Sequence, residues 1–245
     1  HFITPISVSL ARPLAQGLKN PVVCRENRIT KIIPQELHDA RTAIQRALLR
    51  TRQHEVETAW SDSGQLPPVE LTNPGDPTWA GGSMFEDSRR VVIQGSAEQI
   101  WPSITSLGGD TGYYYANWLW KLRGALDRIF GGVGLDRGRR HDRDLHTGDA
   151  LDFWRVAEVD KPYRLLLVAE MKLPGQATLE LTLRENDDRT VELRQRGRFW
   201  PRGLAGLLYW GAVYPFHYFI FNGMLRGIGQ ASGRAIMQGP EKVDR

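Results

Sequence analysis

The residues from Gly203 to Leu225, GLAGLLYWGAVYPFHYFIFNGML, contain no Asp, Glu, Lys or Arg, and Arg202 and Arg226 bracket them. A helix this apolar has to hide its surface, either in a bilayer core, which takes about 20 apolar residues, or inside a protein. Pro215, His217 and Asn222 lie within the run, with Gly203, Gly206, Gly211 and Gly223 scattered through it. The aromatic residues from Tyr209 to Phe221 are spread along the segment instead of gathering into two interfacial belts. There is only one such segment, so no bundle of spans is available to accommodate its polar residues and breakers. The run therefore reads as the inner helix of a folded domain, and such a helix needs an apolar surface to lie on.

The chain just before it supplies one. ALDFWRVAEV, YRLLLVAEMKL, ATLELTLRE and TVELRQRGRF follow one another with short polar turns. Leu179, Leu181 and Leu183 alternate with Thr178, Glu180 and Thr182, while Val191, Leu193 and Phe199 alternate with Glu192, Arg194, Arg196 and Arg198. Period two with one polar face predicts an antiparallel sheet that meets water on one side only. Upstream, SRRVVIQG predicts a strand and SAEQIWPSITSL a helix capped by Ser96 and bent or shortened at Pro102. NWLWKLRGALDRIF predicts a second helix with Leu119, Leu122, Leu126 and Ile129/Phe130 on one stripe. Strand, helices, meander and long apolar helix in that order predict an α+β fold, a curved antiparallel sheet gripping the C-terminal helix.

Residues before Ser61 have a different character. PVVCRENRITKII predicts two short strands, Val22–Cys24 and Arg28–Ile33. A helix is expected over Gln35–Arg50, with Pro34 in its first turn and Leu37, Ala40, Ile44, Ala47 and Leu48 on one face. Prolines and glycines crowd Ser61–Gly82, which reads as a linker. The expected organisation is an N-terminal piece over 1–60, a linker over 61–82, the main domain over 83–238 and a tail over 239–245.

A net charge of +4, spread over 32 basic and 28 acidic residues, gives no concentrated basic face, so nucleic acid is not expected as a partner. The densest basic run, RGRRHDR, is diluted by Asp136, Asp142 and Asp144. Cys24 is the only cysteine, which allows no internal disulfide and fits a cytoplasmic location. GGVGLDRG approximates a dinucleotide fingerprint, but a helical pattern precedes it where a strand is required, so it reads as a loop. HDRDLH offers metal-ligand types in a polar loop, and no metal is assigned to it. No tyrosine stands four residues before any lysine, and no Gly-x-Ser-x-Gly elbow occurs. No residue is therefore assigned a catalytic role.

Three separated stretches, GGVGLDRGRRHDRDLHTGDALDFWRV, AEMKLPGQATLEL and FWPRGLAGLLYWGAVYPFHYFIFNGML, together resemble an uncharacterised bacterial domain family of the helix-grip, START/polyketide-cyclase-like (SRPBCC) type. The likeness spans about Ser83 to Ser232. It implies a helix-grip fold with a small N-terminal remnant of an α/β domain, and brings no established reaction. Residues 3–50 look like the tail of an atypical short-chain dehydrogenase, nucleoside-diphosphate-sugar-epimerase-like half. That resemblance implies an alternative expectation, in which this chain is the accessory or substrate-binding half of an NAD(P)-dependent oxidoreductase/epimerase-like enzyme and any NAD(P) belongs to an upstream half.

A cavity between sheet and helix is the expected site, holding a small apolar or amphipathic molecule. Trp154, Phe199, Trp210, Tyr214 and His217 would line or gate it, with Arg155 and Glu170 as polar anchors; the rival reading of such charged groups is ordinary ion pairing at sheet edges. A homo-oligomer is left open. Because pyrophosphate recognition needs a glycine turn at a helix N-terminus, the chain is expected not to bind NADH. Fluorescence titration checks this, and saturable micromolar binding would show that GGVGLDRG had been misread.

Overall fold

A computed structural model of the chain describes residues 8–21, 26, 28–53, 56, 83–135, 141 and 144–243. It divides into two compact units, His1–Arg46 and Ala47–Arg245. Three helices occupy the N-terminal region, α1 (Val8–Gly17), α2 (Arg28–Ile32) and α3 (Ala40–Arg52). The strand expected at Arg28–Ile33 is thus a helical turn, and the strand expected at Val22–Cys24 lies outside the described residues. The third helix begins five residues later than expected because Asp39, not Pro34, starts it. The Asp39 carboxylate accepts the backbone N–H of Thr42 at 2.7 Å, a standard N-terminal cap. Ile44 and Leu48, expected to be its inner face, are 60% and 53% exposed. The linker expected over 61–82 falls outside the described residues.

The remaining elements are β1 (Phe85–Gln94), α4 (Ala97–Thr105), α5 (Asn117–Ile129), β2 (Ala150–Leu151), β3 (Trp154–Asp160), β4 (Arg164–Ala169), β5 (Gly175–Glu185), β6 (Thr190–Pro201), α6 (Gly203–Ala231) and β7 (Ile236–Lys242). The strands form one antiparallel sheet in the order β2-β3-β4-β5-β6-β1-β7. This is the expected α+β, helix-grip arrangement. One boundary differs: residues 239–242, expected as tail, belong to β7, which pairs with β1 through Arg90↔Glu241 and Val92↔Gln238.

Alternation along the strands sorts side chains between two faces. On the outer face Arg164 meets Glu180 at 2.8 Å, Arg198 meets Glu86 at 3.2 Å and Arg90 meets Glu192 at 2.9 Å. On the inner face Val91, Ile93, Leu165, Leu167, Leu181 and Leu193 are wholly buried. Ser96 precedes α4 as expected, its N–H donating to the Gln99 side chain at 3.1 Å, and α4 sends Ile100, Trp101 and Ile104 into the same core.

The long helix α6 is two things in one element. Its second half is core: Phe221 is 6% exposed, and Met224, Leu225 and Ile228 are 0% exposed. Its first half is not, since Leu204, Leu208 and Phe216 are 70%, 67% and 53% exposed. The expectation of a helix buried along its length is corrected here. A helix apolar on every side can press only one side on a sheet, and nothing among the described residues covers the other. Its partner face is set at Gly197, where an added Cβ would lie 2.8 Å from the Phe221 ring. The absent side chain lets that ring rest on bare strand.

This division predicts unequal sensitivity along one helix. Met224→Ala should lower unfolding free energy by about 2–5 kcal/mol, and Leu208→Ala by less than about 0.5 kcal/mol. Urea unfolding measures both, and equal losses would contradict the division.

Candidate functional site: a cavity under the first half of the long helix

Where α6 lifts from the core, a cavity of about 370 Å³ opens between the inner face of the sheet, α5 and α6. Leu119, Leu122 and Leu126 of α5 form one wall, and Tyr209, Trp210, Val213, Phe216, His217 and Ile220 of α6 another. Its floor includes Trp154, Ala177, Leu179, Gly197 and Phe199 from the strands. The expected α5 stripe lines this space, with Leu122 51% and Leu126 42% exposed.

An aromatic ladder holds the helix side of the cavity in place. Trp210 stacks between Phe85 and Phe199, with ring centroids 5.4 and 5.8 Å away. His217 meets Trp210 edge-on at 5.0 Å and stacks on Phe221 at 4.6 Å. Beneath His217, β1 brings two charged residues onto the inner face. Asp87 is 0% exposed and Arg89 4% exposed, and Arg89 donates to Asp87 at 3.1 Å and to Asn222 at 3.3 Å. The Nδ1 of His217 lies 3.7 Å from Asp87, too far for a hydrogen bond. Burial pushes the His217 pKa down from 6.5 to about 4; the Asp87 charge opposes that shift and the Arg89 charge adds to it. The ring is therefore neutral at neutral pH.

Four of the seven expected residues, Trp154, Phe199, Trp210 and His217, line the cavity. Tyr214 does not; it lines a separate cleft with Arg89, Tyr218, Asn222 and Lys242. Arg155 and Glu170 do not either. Arg155 donates to both Glu170 oxygens at 3.0 and 3.1 Å and to the Gly148 carbonyl at 2.9 Å, so the ion-pair reading holds for them. The reason is strand geometry: neighbours in a strand point to opposite faces, so Trp154 and Arg155 cannot both face the cavity. Three contributors escaped the sequence reading. The Leu119–Leu122–Leu126 stripe shows a helix face without its partner, Gly197 carries no signal beyond a glycine in a strand, and Asp87 stands at the start of an otherwise ordinary strand.

The glycine run after α5 has a structural role. Asp127, 1% exposed, accepts the N–H of Gly134 at 2.9 Å and of Lys172 at 2.6 Å, tying α5 to the strand end beside the cavity. Gly134 has φ +72, and a Cβ at Gly132 would sit 2.2 Å from the Asp127 oxygens, so the loop closes on the carboxylate only with glycine there. Residues 136–140 of that motif lie outside the described residues. In HDRDLH, His141 Nδ1 accepts the Asp144 N–H at 3.0 Å, and Asp142 and Arg143 are outside the described residues. Among the described residues no group of three or more His, Cys, Asp or Glu side chains is placed to hold a metal.

A family profile described as "Protein of unknown function (DUF2867)" matches residues 79–224, which cover β1 to β6, α4, α5 and most of α6. The chain belongs to the DUF2867 family. No curated protein matches it. Among solved structures, norcoclaurine synthase from Thalictrum flavum aligns at 11% identity and a TM-score of 0.37, covering 69% of this chain and 98% of its own. An HSP90 activator from Plasmodium falciparum aligns at 13% identity and 0.36, covering 63% and 99%. The Zhui aromatase/cyclase from a Streptomyces species aligns at 12% identity and 0.34, covering 62% and 94%. For this DUF2867 member the architecture is read from its own strand pairing.

The buried neutral imidazole makes stability depend on pH in one window. A ring whose folded pKa lies below its unfolded value resists protonation, so the unfolded chain binds the proton first. Its contribution is constant above about 6.5, is lost as pH falls towards about 4, and is flat below that. The loss is on the order of 3 kcal/mol. His217→Phe keeps the stack on Phe221 and should remove this part of the slope. If variant and parent lose stability in parallel between these pH values, His217 is not held neutral.

Proposed function

We propose that this DUF2867 member binds a small, largely apolar molecule in the cavity between α5, the sheet and the first half of α6. The observation that carries the reading is the cavity itself. Its 370 Å³ falls in the usual range for small-molecule sites, and Leu, Val, Met, Phe, Tyr and Trp side chains dominate its lining. Apolar surface left unfilled in a folded protein forgoes the dispersion contacts that close packing would give. A ligand with an apolar body restores them and removes water from the walls. His217 is the titratable side chain on the α6 wall, and as a neutral ring it can donate or accept one hydrogen bond from a polar end of the ligand. The reading is of binding; the geometry assigns no bond-making step to any residue.

The test has two parts. Native mass spectrometry of the purified protein should show a co-purifying small molecule or a free site. Titration with the apolar fluorophore N-phenylnaphthylamine should then show saturable binding that an added natural ligand displaces. Val213→Trp, which places a larger side chain in the cavity wall, should weaken fluorophore binding at least about tenfold while the fold is retained, since a filled cavity cannot take the same body. Unchanged binding in that variant, or none in the parent, would contradict the reading.

A further inference from the structure

We infer that the face around the cavity mouth docks this protein on an anionic lipid bilayer, with the first half of α6 lying in the membrane interface and not crossing it. The inference stands on exposure and charge, and does not depend on what the cavity holds.

The exposed apolar surface is continuous with the mouth. Leu122, Leu126 and Phe216 line the cavity while being 51%, 42% and 53% exposed. On α6 the apolar surface continues to Leu204, Leu208 and Phe219, which are 70%, 67% and 61% exposed. A helix apolar on all sides belongs in protein or in lipid, and an exposed apolar patch of this kind marks a contact surface. The sequence reading set a spanning helix aside on its breakers, its scattered aromatics and its standing alone, none of which weighs against a helix lying in the interface. Exposure of its first half overturns the conclusion that the helix is covered throughout.

Charge decides which partner fits. Three segments bound the mouth: α5, residues 171–174 and residues 202–219. Their basic residues on this side are Arg123, which lines the cavity and donates to the Lys172 carbonyl, and Lys172 and Arg202, while Lys121 and Arg128 fall on the far side of α5 from Leu119, Leu122 and Leu126. Their one acid is Asp127, which is buried and accepts the N–H groups of Gly134 and Lys172. An apolar surface rimmed by cations with no accessible acid in the same segments suits an anionic lipid surface. It does not suit a second copy, because a two-fold contact would set these cations against each other. The helix lies on the bilayer instead of spanning it because its other side is engaged. Trp210 stacks on Phe85 and Phe199, and Met224 and Ile228 are wholly buried in the core.

Co-sedimentation of the full chain with vesicles tests this. Binding to phosphatidylcholine mixed with phosphatidylglycerol is expected, weakening with added salt, and at least about tenfold weaker to phosphatidylcholine alone. Leu208→Glu combined with Phe219→Glu should abolish binding with circular dichroism and melting unchanged, because both side chains are exposed. Lys172→Glu with Arg202→Glu should weaken it at least about tenfold. Several results would overturn the inference. One is no binding to the mixed vesicles, and another is binding indifferent to these substitutions. A third is a dimer in sedimentation that Leu208→Glu dissociates, and a fourth is membrane protein released by detergent but not by alkaline carbonate.

Discussion

The contact between the Phe221 ring and the bare backbone of Gly197 fixes the rest of the structure. It seats the second half of α6 against the inner face of β6, and Met224, Leu225 and Ile228 follow into the core. Gly197 pairs with Asp87 on one side and Leu179 on the other, so the contact sits centrally in the sheet. From that seat the helix runs back towards Gly203 at a height set by bulky rings. Trp210, lying on Phe85 and Phe199, props it away from the strands. Phe221 rests on a glycine and Trp210 on stacked rings, and the helix closes again at Gly206, where a Cβ would meet the Pro174 carbonyl at 2.5 Å, so the cavity lies between these contacts.

The same arrangement explains the electrostatics of the site. Asp87 and Arg89 occur on a face that is otherwise aliphatic, and they are tolerated there because they pair with each other and reach Asn222. His217 sits above them, too buried to charge readily and too far from Asp87 to bond it. The outer face carries its charges in a lattice in which half-buried arginines cover the buried Glu180 and the nearly buried Glu86, so each carboxylate is paired where it loses water. Arg155 and Glu170 belong with that pairing chemistry and not with the cavity.

Much of this architecture follows from short-range pattern. Period-two alternation in β5 and β6, the Ser96 start of α4 and the order of elements specify the sheet and the helix that crosses it. What pattern cannot convey is which apolar surfaces meet. The stripe Leu119–Leu122–Leu126 has the spacing of a core face, yet it borders a cavity, because spacing fixes a direction and not a partner. The charge-free run likewise shows that α6 avoids water without showing that one side is left uncovered. Arg155 follows Trp154 in the same strand, so a Trp154 that faces the cavity turns Arg155 to the opposite side. Arg28–Ile33 failed for a different reason: a short apolar run is compatible with either a strand or a helical turn until its surroundings decide.

The central claim is that α6 is pinned along its second half and held off the sheet along its first. Amide hydrogen exchange along the helix, with and without a cavity-binding fluorophore, tests it most directly. The account predicts strong protection of residues 221–229 close to the limit set by global unfolding, faster exchange of residues 204–217 through local opening, and slowing by the fluorophore in the latter stretch and in α5 alone. Uniform protection throughout α6, unchanged by the fluorophore, would contradict it.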